Sequence, residues 1–144
     1  MLNKIIFLGL FVVAIFFTAC SNTTVEKVEI KPNVSLLNTY WKVNSLYGKE
    51  VEVFVKEAHL KFKDNNQVNG ALGCNNFFGK FEQKDSSLSF INVASTKMMC
   101  PNMKTEDAFS KVLFETRTYK ISGETMTFFN ENKEEIAKFK AVYF

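Results

Sequence analysis

The chain has little of what most catalytic and metal chemistry draws on. It carries one histidine, His59, and three cysteines, Cys20, Cys74 and Cys100, with no CxxC pair among them. A structural zinc site needs about four soft ligands at short paired spacing, and this inventory argues against one. A Ser-His-Asp or Cys-His arrangement would have to use His59, which shares the polar face of a strand with Lys61 and Lys63 and reads as a solvated surface side chain. No GxSxG elbow is present. A phosphate loop also fails. Between Gly73 and the pair Gly79-Lys80 stand five residues rather than four, and Phe81 follows where Ser or Thr would hold magnesium. Glu134-Glu135 sits in a charged turn, where solvation accounts for it. The net charge of +3 is too small and too scattered for a nucleic-acid surface. The expectation is a non-enzymatic protein with no catalytic residue, metal or cofactor and no nucleic-acid partner.

Long apolar runs are scarce too. IIFLGLFVVAIFF, residues 5–17, falls short of the roughly twenty residues a bilayer-spanning helix needs and has the length of a signal-peptide core. It ends in FTAC, which resembles the lipobox of bacterial lipoproteins, with Phe17 where Leu is usual. That resemblance implies cleavage after residue 19 and a diacylglycerol on the sulfur of Cys20, which makes the membrane the first partner. Two or three acyl chains, at about 0.8 kcal/mol per buried methylene, hold firmly where one holds marginally. Ser21 in place of Asp implies, by the sorting rule of enteric bacteria, an outer-membrane protein facing the periplasm. Residues 20–37 then read as lipidated cysteine and tether, polar and broken by Pro32. As a coil, its seventeen residues after Cys20 would span roughly 20–25 Å. About 125 residues remain after the signal, and residues 38–144 read as a single domain.

Within that domain, apolar and polar residues alternate at the two-residue period of half-buried strands. AHLKFKD places Ala58, Leu60 and Phe62 on one face. TYWKVNSL, VEVFV, QVNGAL, NFFGKF, SSLSF, TYKIS, ETMTFF and AKFKAVYF read similarly, with turns at 64–66, 85–87, 122–123 and 130–133. Turns about every ten residues favour an antiparallel barrel or sandwich. One segment breaks the pattern. KTEDAFSKVLFETR puts Ala108, Phe109, Val112, Leu113 and Thr116 on one helical stripe, with Thr105 as its cap, Glu106 and Asp107 at the positive end of the dipole and Phe114 off the stripe. Sixteen phenylalanines point to an aromatic core, and they leave room for an apolar ligand cavity as the alternative.

With Cys20 lipidated, Cys74 and Cys100 remain, and an even pair in an oxidising periplasm is read first as a disulfide, with two free thiols as the other state. Gly70, Gly73 and Gly79 fit as positions where strands bend or bulge so that the sulfur reaches its partner. Redox work by the pair is disfavoured by the missing CxxC.

Trp41-Lys-Val-Asn-Ser-Leu-Tyr-Gly48, then Gly70-Ala-Leu-Gly-Cys-Asn75, Phe78-Gly79 and Ser95-Thr-Lys-Met-Met-Cys-Pro101 before an acidic-started helix together resemble the META domain of the HslJ heat-inducible lipoproteins. Val43 stands where that family usually has Leu. The resemblance implies a mainly β fold, a small antiparallel barrel or half-barrel with one α-helix packed on it. It also implies a role in heat stress or antibiotic tolerance with no defined catalytic residue. Lipobox, tether, a disulfide-held β domain and the missing catalytic set add the expectation that the domain binds an envelope protein or an apolar ligand. The alternative function is inhibition of a periplasmic or host hydrolase by loops such as Cys74–Phe78 or Met98–Met103. The three methionines there would offer a soft surface, though Met at such positions is more often core.

Overall fold

In a computed structural model, residues 32–144 are described. The signal segment, Cys20 and residues 21–31 lie outside them. Nine strands run in chain order: β1 Tyr40–Leu46, β2 Lys49–Glu50, β3 His59–Phe62, β4 Gln67–Ala71, β5 Asn76–Lys84, β6 Ser87–Ser95, β7 Thr118–Ser122, β8 Thr125–Phe129 and β9 Glu135–Val142. The helix α1, Lys104–Glu115, lies between β6 and β7. All pairings are antiparallel between neighbours along the order β2-β1-β3-β4-β5-β6-β7-β8-β9, and β1 also pairs with β9. The sheet is thereby a near-closed ring, the barrel that the alternation implied. Its weak point is between β6 and β7, which share the single pair Ser87↔Thr118.

The expected turns form, and most need a residue in the left-handed region: Asn66, Asp85, Gly123 and Lys133 all have φ between 53° and 63°. Asn, Asp and Gly tolerate that region at least cost. Because the strands alternate in direction, the ring has two ends. The turns 63–66, 85–86 and 123–124 share one end with the start of β1. The connections 47–58, 72–75, 96–117 and 130–134 share the other, called the loop end below.

The interior is filled. Phe77, Phe109, Phe139, Phe128, Phe90, Phe62 and Phe81 form a continuous chain of ring contacts with centroid separations of 4.6–5.9 Å. Trp41, Leu60, Leu88 and Met126 complete it at 0% exposure. α1 contributes Phe109, Val112 and Leu113 to the same cluster. It is a plug in the barrel wall as well as a cover.

Several local expectations change. VEVFV, expected as a strand, is a loop with Val53, Phe54 and Val55 exposed. Its alternation is real, but β1 already pairs with β2, β3 and β9 and offers it no open edge. β6 continues past SSLSF through Ser95 because β5 is long enough to pair with it. Thr105 does not cap α1. The N-cap is Met103 without a side-chain bond, and the Lys104 N–H instead donates to Asn102 Oδ1 at 3.0 Å. The domain's packing also begins earlier than residue 38. Val34 N–H donates to Gly123 O at 3.0 Å, Gly123 N–H to Asn33 Oδ1 at 2.8 Å, and Trp41 Nε1 to Leu36 O at 3.1 Å. Val34, Leu36 and Leu37 lie half-buried on the core. Residues 33–37 close the end of the ring where β1 starts.

Gly70 is required for a different reason from the bend anticipated. A Cβ there would lie 2.0 Å from the carbonyl oxygen of His59 and 2.8 Å from the Phe77 ring, so β3 and β4 could not keep their register. Gly70→Ala is expected to destabilise the domain by about 2–3 kcal/mol, an overpacking penalty at a backbone contact. Urea unfolding checks it. Gly79 does sit at a bulge, between Phe78 and Lys80.

Candidate functional site

The chemistry-bearing side chains are scattered. His59 is half-buried rather than solvated. Its ring stacks on Tyr40 at 4.3 Å, and Nδ1 lies 2.9 Å from the Glu57 carbonyl oxygen. Glu134 accepts from Asn130 Nδ2 at 2.7 Å, and Glu135 pairs with Lys138 at 2.8 Å. Among the described residues no three His, Cys, Asp or Glu side chains come together as a metal site would require. Cys74 and Cys100 are bonded to each other, with Cα atoms 6.1 Å apart, so neither sulfur is a free nucleophile or ligand.

What converges on Cys74 is a polar knot that the sequence did not announce. Asn75 is 1% exposed and uses every hydrogen-bonding group it owns. Its N–H donates to Glu106 Oε2 at 2.7 Å, and its carbonyl accepts from Leu72 N–H at 2.8 Å. Nδ2 donates to Glu106 Oε1 and to Met98 O, both at 2.8 Å. Oδ1 accepts from Met98 N–H at 2.7 Å and from Thr96 Oγ1 at 2.8 Å. Three segments are thus tied to one side chain: the β4–β5 turn, the stretch after β6 and the first turn of α1. Gly73, at φ +116°, lets Thr105 approach to 3.1 Å of the space a Cβ would fill, which brings the helix start and Glu106 into reach. Glu106 reads in sequence as a dipole residue, and it serves as the bidentate acceptor of this knot. The arrangement holds loops still. Its Asn75 and Glu106 side chains are 1% and 8% exposed.

A second polar cluster lies on the barrel's outer wall. Tyr40 Oη donates to Glu57 Oε1 at 3.1 Å, and Glu57 pairs with Lys42. Burial, then the hydrogen bond to Glu57, pushes the Tyr40 phenol up to about 12. Hydrogen bonding from Lys42 holds the Glu57 carboxyl below its ordinary range. Tyr47 is raised likewise by burial and by its 2.7 Å bond to Glu115. The signs fix the pH window. Tyr40, raised in the fold, contributes stability that is complete below pH 10.0 and lost as pH climbs through about 12. Glu57, lowered in the fold, contributes stability present above 4.5 and lost as pH falls through its folded value. A phenolate absorbance titration is expected to show Tyr40 ionising later than in Glu57→Gln, where the acceptor charge is gone.

The remaining feature is apolar surface. Phe54 is 62% and Met99 88% exposed, and Val53, Val55 and Met98 are exposed with them, all on loops of the same end of the ring. Lys56 N–H donates to Gly73 O at 2.9 Å and Lys56 Nζ to Asn76 Oδ1 at 3.1 Å, which lays the 51–57 loop beside the Asn75 knot. The expectation of core methionines therefore fails at Met98 and Met99, because the disulfide and the Asn75 bonds take their backbone to the surface. Phe114 is 80% exposed on α1, beside a groove between that helix and β6.

Against known proteins, the META domain matches residues 34–143. No curated protein matches the chain. A structure determined by NMR is similar at a TM-score of 0.61 and 22% identity, covering 74% of this chain and 94% of the other. A second NMR structure, of a protein from Burkholderia xenovorans, is similar at 0.63 and 20% identity over 76% and 85%. The crystal structure of a DUF4847 family protein from Bacteroides vulgatus is similar at 0.55 and 13% identity over 73% and 93%. At these identities the likeness is one of fold.

Proposed function

The chain belongs to the META domain family, and from that premise we propose that it is a lipid-anchored protein of the bacterial envelope, at the outer membrane and facing the periplasm, whose domain binds a protein and catalyses nothing. The single observation carrying this reading is the contrast between an interior packed with phenylalanine rings and a loop end that exposes Phe54, Met98 and Met99. A ring-filled interior leaves an apolar small molecule no room inside the barrel, so the apolar partner is met on the surface. Exposed aromatic and methionine side chains on loops held by a disulfide suit such contacts.

The lipobox-like FTAC supports the anchor at Cys20, and the polarity of the ring supports the orientation. The leader enters the fold at Asn33 and Val34, pinned to Gly123, at the end away from the exposed loops. Twelve residues, 21–32, separate Cys20 from Asn33 in sequence. Attachment at that end supports a loop end that faces the periplasm. The resemblance to heat-inducible lipoproteins supports a role in envelope stress or antibiotic tolerance.

A photo-crosslinking side chain placed at Phe54 in the full chain, in intact cells, tests the reading. One discrete protein adduct that intensifies on heating is expected. No adduct, with unchanged heat and antibiotic tolerance in a deletion strain, would remove it. Metabolic palmitate labelling, lost in Cys20→Ser, tests the anchor separately.

Hydrolase inhibition is the second reading, favoured by Met98 and Met99 on a loop fixed at both flanks by Asn75 and Cys100. Unchanged rates across a panel of lysozymes and periplasmic proteases would eliminate it.

A further inference from the structure

The outer wall of the barrel over β4 is a trench with a basic rim. Lys63 N–H donates to Gln67 O at 2.8 Å, and Gln67 pairs with Lys80 on β5, so the three residues stand abreast. At a strand spacing of about 4.8 Å, the backbones of Lys63 and Lys80 lie roughly 10 Å apart across β4. The β4 side chains between them are the shorter amides Gln67 and Asn69, which face outward because Val68 between them is buried. Phe78 stands opposite Asn69 and is 61% exposed. A bulge adds one more amide. Phe78 pairs with Ala94 and Lys80 with Ile91, so Asn92 and Val93 together oppose Gly79, and Asn92 takes a φ of 52°. Bulges re-aim side chains. Here Asn92 joins Lys63, Gln67, Asn69, Phe78 and Lys80 around a concavity of about 300 Å³.

These polar groups have no partners of their own. Ion pairs among the described residues join Lys42 to Glu57, Lys111 to Glu115 and Lys138 to Glu135, which leaves Lys63 and Lys80 without an acidic partner there. No side-chain hydrogen bond among the described residues engages Gln67, Asn69 or Asn92, whereas the amides of Asn38, Asn75, Asn102 and Asn130 each hold one. No acid lines the trench. We propose that it binds an anionic sugar, with the carboxylate or phosphate held between Lys63 and Lys80, the apolar face of the ring on Phe78 and the hydroxyls on the three amides. Lysine ammonium groups make charge-assisted bonds to either anion. An amide offers a hydroxyl both a donor and an acceptor, and an exposed aromatic ring offers a flat apolar surface. A volume of about 300 Å³ stands at the lower end of the range for small-molecule sites. The site is on the side of the barrel, so it does not depend on the protein-binding reading of the loop end.

Other occupants fit less well. A neutral apolar segment would cover two ammonium groups without giving them a counter-charge. Nucleic acid needs a longer basic surface than Lys61, Lys63 and Lys80 supply, and Asp64 and Glu82 follow closely on them in the chain. An acidic peptide would meet the lysines but brings no rigid ring face to Phe78.

The test titrates the full chain, in micelles of an amine-oxide detergent that carries neither sugar nor phosphate, with galacturonic acid and with glucose 6-phosphate. At least one is expected to bind with a Kd of about 1 mM or tighter and to shift the side-chain amide NMR signals of Gln67, Asn69 and Asn92. Galactose and glucose are expected to bind at least tenfold more weakly. The K63Q/K80Q chain and the F78A chain, altered only at exposed positions, are each expected to lose tenfold or more in affinity with an unchanged urea midpoint. No saturable shift with either acidic sugar, equal binding of the neutral sugars, or unchanged binding to K63Q/K80Q or to F78A would each overturn the proposal. Inorganic phosphate binding as tightly as the sugar phosphate would overturn it in favour of a bare anion. A capped Gly-Glu-Gly peptide binding as tightly as galacturonic acid would overturn it in favour of an acidic segment.

Discussion

Replacing Cys74 and Cys100 together by alanine is expected to lower the free energy of unfolding by roughly 3.5 kcal/mol, the chain-entropy value for a loop of about 27 residues. The sequence separation of the two cysteines is 26, and the loop they close contains all of β5 and β6. In the unfolded chain the bond forbids most arrangements of that loop, and in the fold it holds the stretch before α1 against the β4–β5 turn. For a domain of this size, whose total stability is about 5–15 kcal/mol, the loss is a large share. Urea unfolding reads it directly. The midpoint falls, and the slope with denaturant rises because the uncrosslinked unfolded chain exposes more surface. A loss below about 1 kcal/mol with an unchanged slope would mean that the Asn75 knot fixes these loops unaided. Alkylation in unreduced cells gives the complementary check, since neither thiol should react.

How far the sequence discloses this fold depends on whether a feature is local. Leu60 and Phe62 in AHLKFKD alternate because one face of β3 is buried, and that burial shows in four residues. Asn66, Asp85 and Gly123 mark turns because the left-handed backbone selects among residue types at a single position. VEVFV misleads for the opposite reason. Strand formation needs a free partner edge, and which edges are free is decided by β1, β3 and β9 together. The extension of β6 to Ser95 is likewise set by its partner β5. At the site, the pair Cys74 and Cys100 is legible from the cysteine count and the expectation of export, whereas Glu106 is not. An acid in the first turn of a helix satisfies the dipole whether or not it meets an asparagine 31 residues earlier. The one available signal was Asn75 itself, a polar residue set among Leu72, Cys74 and Phe77, all of which are buried. A buried amide must find partners for all its groups. The thin contact between β6 and β7 leaves no trace in sequence.

Asn75→Asp is expected to be the more damaging of two substitutions at the knot, although it is nearly isosteric and Asn75→Ala removes more atoms. Alanine deletes four side-chain hydrogen bonds, leaving one Glu106 oxygen unpaired where it is buried and the Met98 N–H and C=O unpaired where they are part-buried. With an unsatisfied buried group costing about 1–3 kcal/mol and part-buried ones less, a loss of about 3 kcal/mol follows. Aspartate keeps the bonds from Met98 N–H and Thr96 Oγ1 but turns the Nδ2 donor into an acceptor facing Glu106 Oε1 and Met98 O, both acceptors themselves. Like charges then share a site that is 1% exposed at Asn75 and 8% at Glu106. A buried charge left without a counter-charge costs about 3–5 kcal/mol, and two acceptors facing each other add repulsion to that loss. The pH dependence separates the variants. In Asn75→Asp one carboxyl can take up a proton and restore a donor between the two residues, so its deficit relative to the parent shrinks as pH falls from 7 to about 4.5, and that of Asn75→Ala does not shrink in this way. Urea midpoints across that range decide the matter. A deficit in Asn75→Asp that is smaller than in Asn75→Ala at pH 7, or that grows on acidification, would show that Glu106 is not the group facing residue 75. Because Cys74 adjoins the same side chain, the knot and the disulfide are expected to be coupled. The triple variant lacking both sulfurs and Asn75 should lose more than the two effects summed, since each constraint holds the loop in place for the other.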